Sequence, residues 1–247
     1  MFPIRDHNPA ERTPFITYGL IALNIVIFLV TLLLARDERA LALLYFEYGL
    51  VPARLTAGEG QLGLFTSMFM HAGFMHLAGN MLFLWIFGDN MEDQMGHLPF
   101  LAFYIVSGLG ATYAHYVLAP LSQVPLVGAS GAIAGVMGGY LLLFPKAKVD
   151  IFVFLIIIIR VFPIPSWIML GLWFGMQIFN GVGSSVDGGG VAYWAHAGGF
   201  IIGIVLTFPL WLKRGAGGFW ARTDGHPDHP EATYPMMKSR VPKVTRK

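Results

Sequence analysis

Apolar runs long enough to cross a bilayer set the main limit on what this chain can fold into. Phe15–Leu34 is 20 residues without a single Asp, Glu, Lys or Arg, and a membrane-spanning helix needs about 20 largely apolar residues. Five more runs follow at Phe74–Met91, Leu98–Leu118, Ala129–Phe144, Ser166–Phe179 and Val191–Leu212. In lipid every backbone N–H and C=O must find its partner internally, so runs of this length are read as helices. The expectation is an all-α membrane protein with six transmembrane helices. Composition agrees. Of 247 residues 55% are hydrophobic and 12% charged, with a mean hydropathy of +0.62, whereas soluble domains carry about 25% charged residues. A soluble enzyme and a disordered chain are both excluded.

The connections are uneven. Asp37–Leu64 contains Pro52, Gly58 and Gly60 around the apolar clusters Ala40–Leu44 and Tyr48–Val51. These clusters are too short to span and predict short interfacial helices. Ile151–Val161 is apolar but short, with Arg160 near its end and Pro163 and Pro165 beyond, and it reads as an interfacial segment. Gly181–Gly190 reads as a glycine-rich turn. Three parts follow: an N-terminal segment over 1–13, a membrane domain over 14–212, and a basic, disordered tail over 213–247. Eight of the 16 Lys and Arg residues lie after residue 212, so the basic balance belongs to the tail and not to a nucleic-acid face. With six spans both termini share one side. That side carries Arg5, Arg12, Lys146, Lys148 and Arg160 besides the tail, against Arg36, Arg39 and Arg54 on the other, which places both termini in the cytoplasm. Met1–Pro14 has no small-residue cleavage site and reads as neither a cleaved signal nor a transit peptide. The chain has no Cys, which removes disulfides, thiolate nucleophiles and Cys-based metal sites.

Polar residues inside spans are expensive and point to function. The informative ones here are His76, Asn80, His115, Ser130 and His196. Spans two, four and six run in one direction, and His76, Asn80, Ser130 and His196 all fall near their starts. At about 1.5 Å per residue these four lie within roughly 10 Å of depth, and His115, late in span three, shares that level. Ser130 has two readings. It belongs to a small-residue stripe with Gly131, Gly135 and Gly138 or Gly139 that suits close helix packing. It also sits at a helix start, where free N–H groups beside its hydroxyl can receive a developing oxyanion. His196 is either structural or a general base. It shares a face with Gly199 and Gly203, and packing that face on the stripe of span four would bring it to Ser130. His76 and Asn80, four residues apart, either tie helices together or aim two donors at one point. Other chemistries fare worse. No His precedes a Glu, so an H-E-x-x-H zinc site is absent, and no aspartate pair lies near mid-membrane. Haem ligation by His76, His115 and His196 lacks an evident facing pair. Asp89, Glu92 and Asp93 fall at the opposite end of span two, which leaves a Ser–His dyad.

Three segments carry a family likeness. His76-Leu77-Ala78-Gly79-Asn80, Gly128-Ala129-Ser130-Gly131 and Ala195-His196-Ala197-Gly198-Gly199, in this order at the starts of spans two, four and six, resemble the rhomboid intramembrane serine proteases. The likeness covers about residues 14–212. It implies a six-transmembrane-helix rhomboid-like bundle with a long, partly embedded first loop. It implies Ser130 as nucleophile, His196 as general base, and His76 and Asn80 with the Ser130 N–H as the oxyanion hole. His71 matches a polar position before span two, and Glu92 a structural acid. The implied activity is cleavage of transmembrane segments of other membrane proteins near the outer leaflet. It needs the lipid bilayer, no metal or other cofactor, and no nucleic acid. The implied location is a plasma membrane of the bacterial inner-membrane type. Two positions depart from the pattern: Ala134 stands where some members place an aromatic on the catalytic His, and Arg54 is a loose counterpart of a first-loop Trp-Arg pair. A non-catalytic relative that holds transmembrane clients is the alternative. A proton-relaying transporter is weaker, since no internal repeat or midplane charge is present.

Overall fold

The computed structural model describes residues 2–155, 158–184 and 191–234, and each of the six apolar runs is helical over most of its length. They form α1 (Phe15–Leu34), α5 (Phe74–Met95), α6 (His97–Leu118), α7 (Ser130–Leu143), α8 (Ser166–Gly183) and α9 (Tyr193–Lys213). Helices α1, α6 and α9 are each long and apolar enough to cross a membrane. Helix α5 joins them when taken with Gly63–Phe69, from which it turns by 89°. Leu33, Phe179 and Val205 are among many large apolar side chains left exposed. A surface of that extent is untenable in water and suited to acyl chains. The chain is a helical membrane protein.

The shortest of these helices is the best enclosed. Every residue of α7 from Gly131 to Tyr140 is buried, as expected of a helix apolar on all sides, and α5, α6, α8 and α9 surround it. Its closest neighbour is α9, and glycine sets the approach. A methyl group on Gly199 would strike the Gly131 carbonyl, one on Gly203 the Gly135 backbone, and one on Gly138 the Phe200 carbonyl. The small-residue stripe expected to bring spans four and six together does so.

The long first connection folds into α2 (Glu38–Tyr48), α3 (Pro52–Thr56) and α4 (Gly63–Thr66), followed by a 3-10 turn at Ser67–Phe69. Asp37 caps α2, its carboxylate accepting from the Ala40 N–H at 2.7 Å. Leu50 and Leu126 exchange backbone hydrogen bonds of 3.0 and 2.8 Å, which fastens this connection to the loop entering α7.

At the opposite end of the bundle the structure corrects two expectations. The fold is not all-α. A three-stranded antiparallel sheet is built from β1 (Phe2–Asp6), β2 (Lys148–Leu155) and β3 (Ile158–Pro165), in the order β1-β2-β3. The Ile151–Val161 run is therefore no single interfacial segment; it crosses a hairpin whose residues 156–157 lie outside the described residues. Arg5 donates to Asp150 at 2.7 Å and pins β1 to β2. The tail, too, is folded through residue 234. Helix α10 (Gly217–Thr223) buries Phe219 completely, and the Trp220 indole donates to the Leu142 carbonyl at 3.0 Å. Ala232 donates to the His7 carbonyl at 2.9 Å, and Lys148 pairs with Glu231 at 2.7 Å. Tail order comes from aromatic anchors and these long-range pairs. Residues 235–247, and residues 185–190 of the glycine-rich turn, lie outside the described residues.

Candidate active site

Ser130 opens α7, where the first N–H groups have no partner within the helix. His196 lies in the first turn of α9. Because α7 and α9 meet through their glycines, the two side chains converge, with Ser130 Oγ 2.7 Å from His196 Nε2. That is a hydrogen-bond distance for a hydroxyl donating to a ring nitrogen. Both residues line a cavity of about 680 Å³ whose walls include Met75, Phe83, Ile133 and Trp173.

His76 and Asn80 line the same cavity from the first two turns of α5. Asn80 is buried, and its Nδ2 has no hydrogen-bond partner among the described residues. A buried amide donor left free is costly unless something transient accepts from it. His76 lies against Gly128, whose φ of +134° favours glycine and where a Cβ would sit 2.8 Å from the ring. Glycine at 128 is what lets the loop entering Ser130 pass beside that imidazole. The Ala72 N–H donates to His76 Nδ1 at 3.4 Å, which leaves Nε2 as the ring's N–H donor in the neutral form. Sequence reading thus named four residues that the fold gathers in one cavity. His71 and His115, also singled out from the sequence, stand apart from its lining. His71 is buried and packs edge-on to His76 with ring centroids 5.2 Å apart, while His115 is buried in α6.

A domain model described as the Rhomboid domain matches residues 59–213, which is more than half of the chain. The chain belongs to the rhomboid family. Among its relatives, Rhomboid protein 1, mitochondrial, of Saccharomyces cerevisiae is 34% identical over 152 residues, covering 59% of this chain and 40% of that protein. Rhomboid protease GluP of Bacillus subtilis is 31% identical over 85% of this chain and 37% of its own length. Rhomboid protease AarA of Providencia stuartii is 28% identical over 78% of this chain and 71% of its own. This rhomboid therefore spans less than half the length of the first two relatives.

Two residues of this site escaped sequence reading, and both come from α8. Gln177 Oε1 lies 2.9 Å from His196 Nδ1, and the Trp173 ring lies against the imidazole with centroids 5.8 Å apart and planes 30° apart. They stand one helical turn apart, on one face. With Ala134 at the position where an aromatic was missed, the aromatic contact to His196 is supplied from α8. The available signal was a Gln, four residues after a Trp, in a mostly apolar helix.

Proposed function

We propose that this rhomboid is an intramembrane serine endopeptidase. Its site is Ser130 as nucleophile, His196 as general base, and His76 and Asn80 with the Ser130 N–H as oxyanion donors. The observation that carries the reading is the 2.7 Å contact between Ser130 Oγ and His196 Nε2 beside the free amide of Asn80. In this reading the hydroxyl gives its proton to His196 Nε2 as Oγ bonds to a peptide carbonyl carbon. The carbonyl oxygen takes up the electron pair and is held by the donors. His196 then passes the proton to the leaving amine, and the C–N bond breaks. Water, deprotonated by the same imidazole, cleaves the acyl ester.

The substrate is a transmembrane segment of another membrane protein that can expose extended backbone near the outer leaflet, since an intact helix hides its carbonyls. The site works without a metal or other cofactor. The proposed topology is six spans within residues 14–212 of a bacterial inner membrane, with both termini cytoplasmic.

Labelling the purified protein with a fluorophosphonate and weighing it intact tests the reading without a known substrate. One adduct on Ser130, lost in His196→Ala, is expected. No adduct on folded protein would move the assignment to a non-catalytic relative that holds transmembrane clients.

A further inference from the structure

We infer that Gln177 is the positioning residue that fixes the tautomer of His196, acting as a neutral third member behind the Ser130–His196 pair; the inference rests on the reading of that pair as catalytic.

The argument begins with the side-chain amide. Gln177 is buried in α8, and one end of its amide lies 3.2 Å from the Trp173 carbonyl oxygen while the other lies 2.9 Å from His196 Nδ1. A carbonyl oxygen can only accept, so the end facing Trp173 must be the NH₂ group. The reversed orientation would set two acceptors against each other. The end facing His196 is therefore the amide oxygen, which also only accepts. His196 Nδ1 must then carry the proton. In a neutral imidazole that leaves Nε2 with its lone pair, 2.7 Å from the Ser130 hydroxyl. One orientation of one amide determines which ring nitrogen can act as base.

The choice of an amide fits its surroundings. A carboxylate would perform the same orientation, but an ionised group inside an apolar helix is expensive and attracts other partners. Glutamine keeps its acceptor when His196 becomes charged, since the Nδ1–H remains in place throughout the proton transfer. A neutral amide in the same role serves proteases with a Cys-His-Asn set. Trp173 complements it: the ring restricts rotation of the imidazole, and the amide selects the nitrogen. Trp173 lines the cavity and Gln177 does not, so the amide acts through His196.

The test uses the full-length protein labelled with ¹⁵N-histidine, with the His196 signals identified by their loss in His196→Ala. A ring nitrogen bearing a proton resonates far from one bearing a lone pair, so the spectrum reports the tautomer directly. The wild type is expected to be Nδ1–H. Gln177→Met, which keeps the length and removes the acceptor, should convert His196 to a mixture of tautomers. It should also slow fluorophosphonate labelling of Ser130 by about 10- to 100-fold, well short of the loss that follows removal of a nucleophile. Gln177→Glu retains an acceptor toward Nδ1 and should keep the Nδ1–H tautomer. An Nε2–H wild type, or a Gln177→Met protein with unchanged tautomer and labelling rate, overturns the role of Gln177. Should Gln177→Met fail to fold, the wild-type and Gln177→Glu spectra still decide. Absence of labelling in the wild type, with the Nδ1–H tautomer present, overturns the protease reading and leaves the positioning of His196 standing.

Discussion

The side chain of Asn80 ends in a buried amide with nothing to donate to among the described residues, a few ångströms of helix away from a histidine that faces the same cavity. Such a donor matters most when charge develops on a substrate oxygen. Asn80→Ala is therefore expected to lower kcat for cleavage of a reconstituted transmembrane substrate by about 10²- to 10³-fold. Ser130→Ala should remove turnover altogether. Equal and complete losses from both would mean that Asn80 does something other than hold an oxyanion. These four residues were legible because each belongs to a local pattern: Asn80 one turn after His76, Ser130 between glycines, His196 before a glycine pair. Gln177 was not. Its partner His196 is 19 residues away on the next helix, and nothing in the spacing ties that amide to the imidazole.

At the scale of helices, the contact between α7 and α9 decides whether Ser130 and His196 meet. Gly203 leaves no space for a methyl group against the Gly135 backbone. Gly203→Ala should lower stability by about 1–3 kcal/mol, as overpacking does, and should abolish Ser130 labelling even in protein that remains folded. Gly171 on α8 has nothing within 4 Å of where its Cβ would stand, so Gly171→Ala should change neither the thermal midpoint nor labelling. A Gly203→Ala protein that labels at the wild-type rate would show that the helices can separate without disturbing the pair. The glycine stripe was readable because helical periodicity is local. The sheet was not readable, because the apolar run from Ile151 reads equally as a buried helix segment and the neighbour of β2, β1, is contributed by residues at the far end of the chain. Pro163 and Pro165 lie in β3, which forms one edge of the sheet, where a missing N–H is tolerated.

Across the whole molecule, the sheet end holds a buried carboxyl. Asp6 Oδ2 accepts from the Tyr140 hydroxyl at 2.7 Å and from Asn90 Nδ2 at 3.2 Å. Burial, and then the nearby Asp89 carboxylate, raises the Asp6 pKa well above its ordinary 3.8. The unfolded chain gives up this proton near that ordinary value, and the folded chain holds it to higher pH. Between the two midpoints the folded state binds more protons, so its stability falls as pH rises through that window. Asp6→Asn should flatten this slope in thermal unfolding measured from about pH 4 to 7. A slope identical to wild type would place the pH dependence on other groups. The same strand imposes an order on biosynthesis. Arg5 and the Asp150 it binds are 145 residues apart, and at a ribosomal pace of about 5–20 residues per second β1 waits roughly 7 to 30 s for its partner to be made. The tail that joins His7 at Ala232 arrives later still. Assembly of this end is thus a late event, completed only after the helices that carry Ser130 and His196 have both been synthesised, with β1 left meanwhile as an open edge for any chaperone or neighbouring chain to meet.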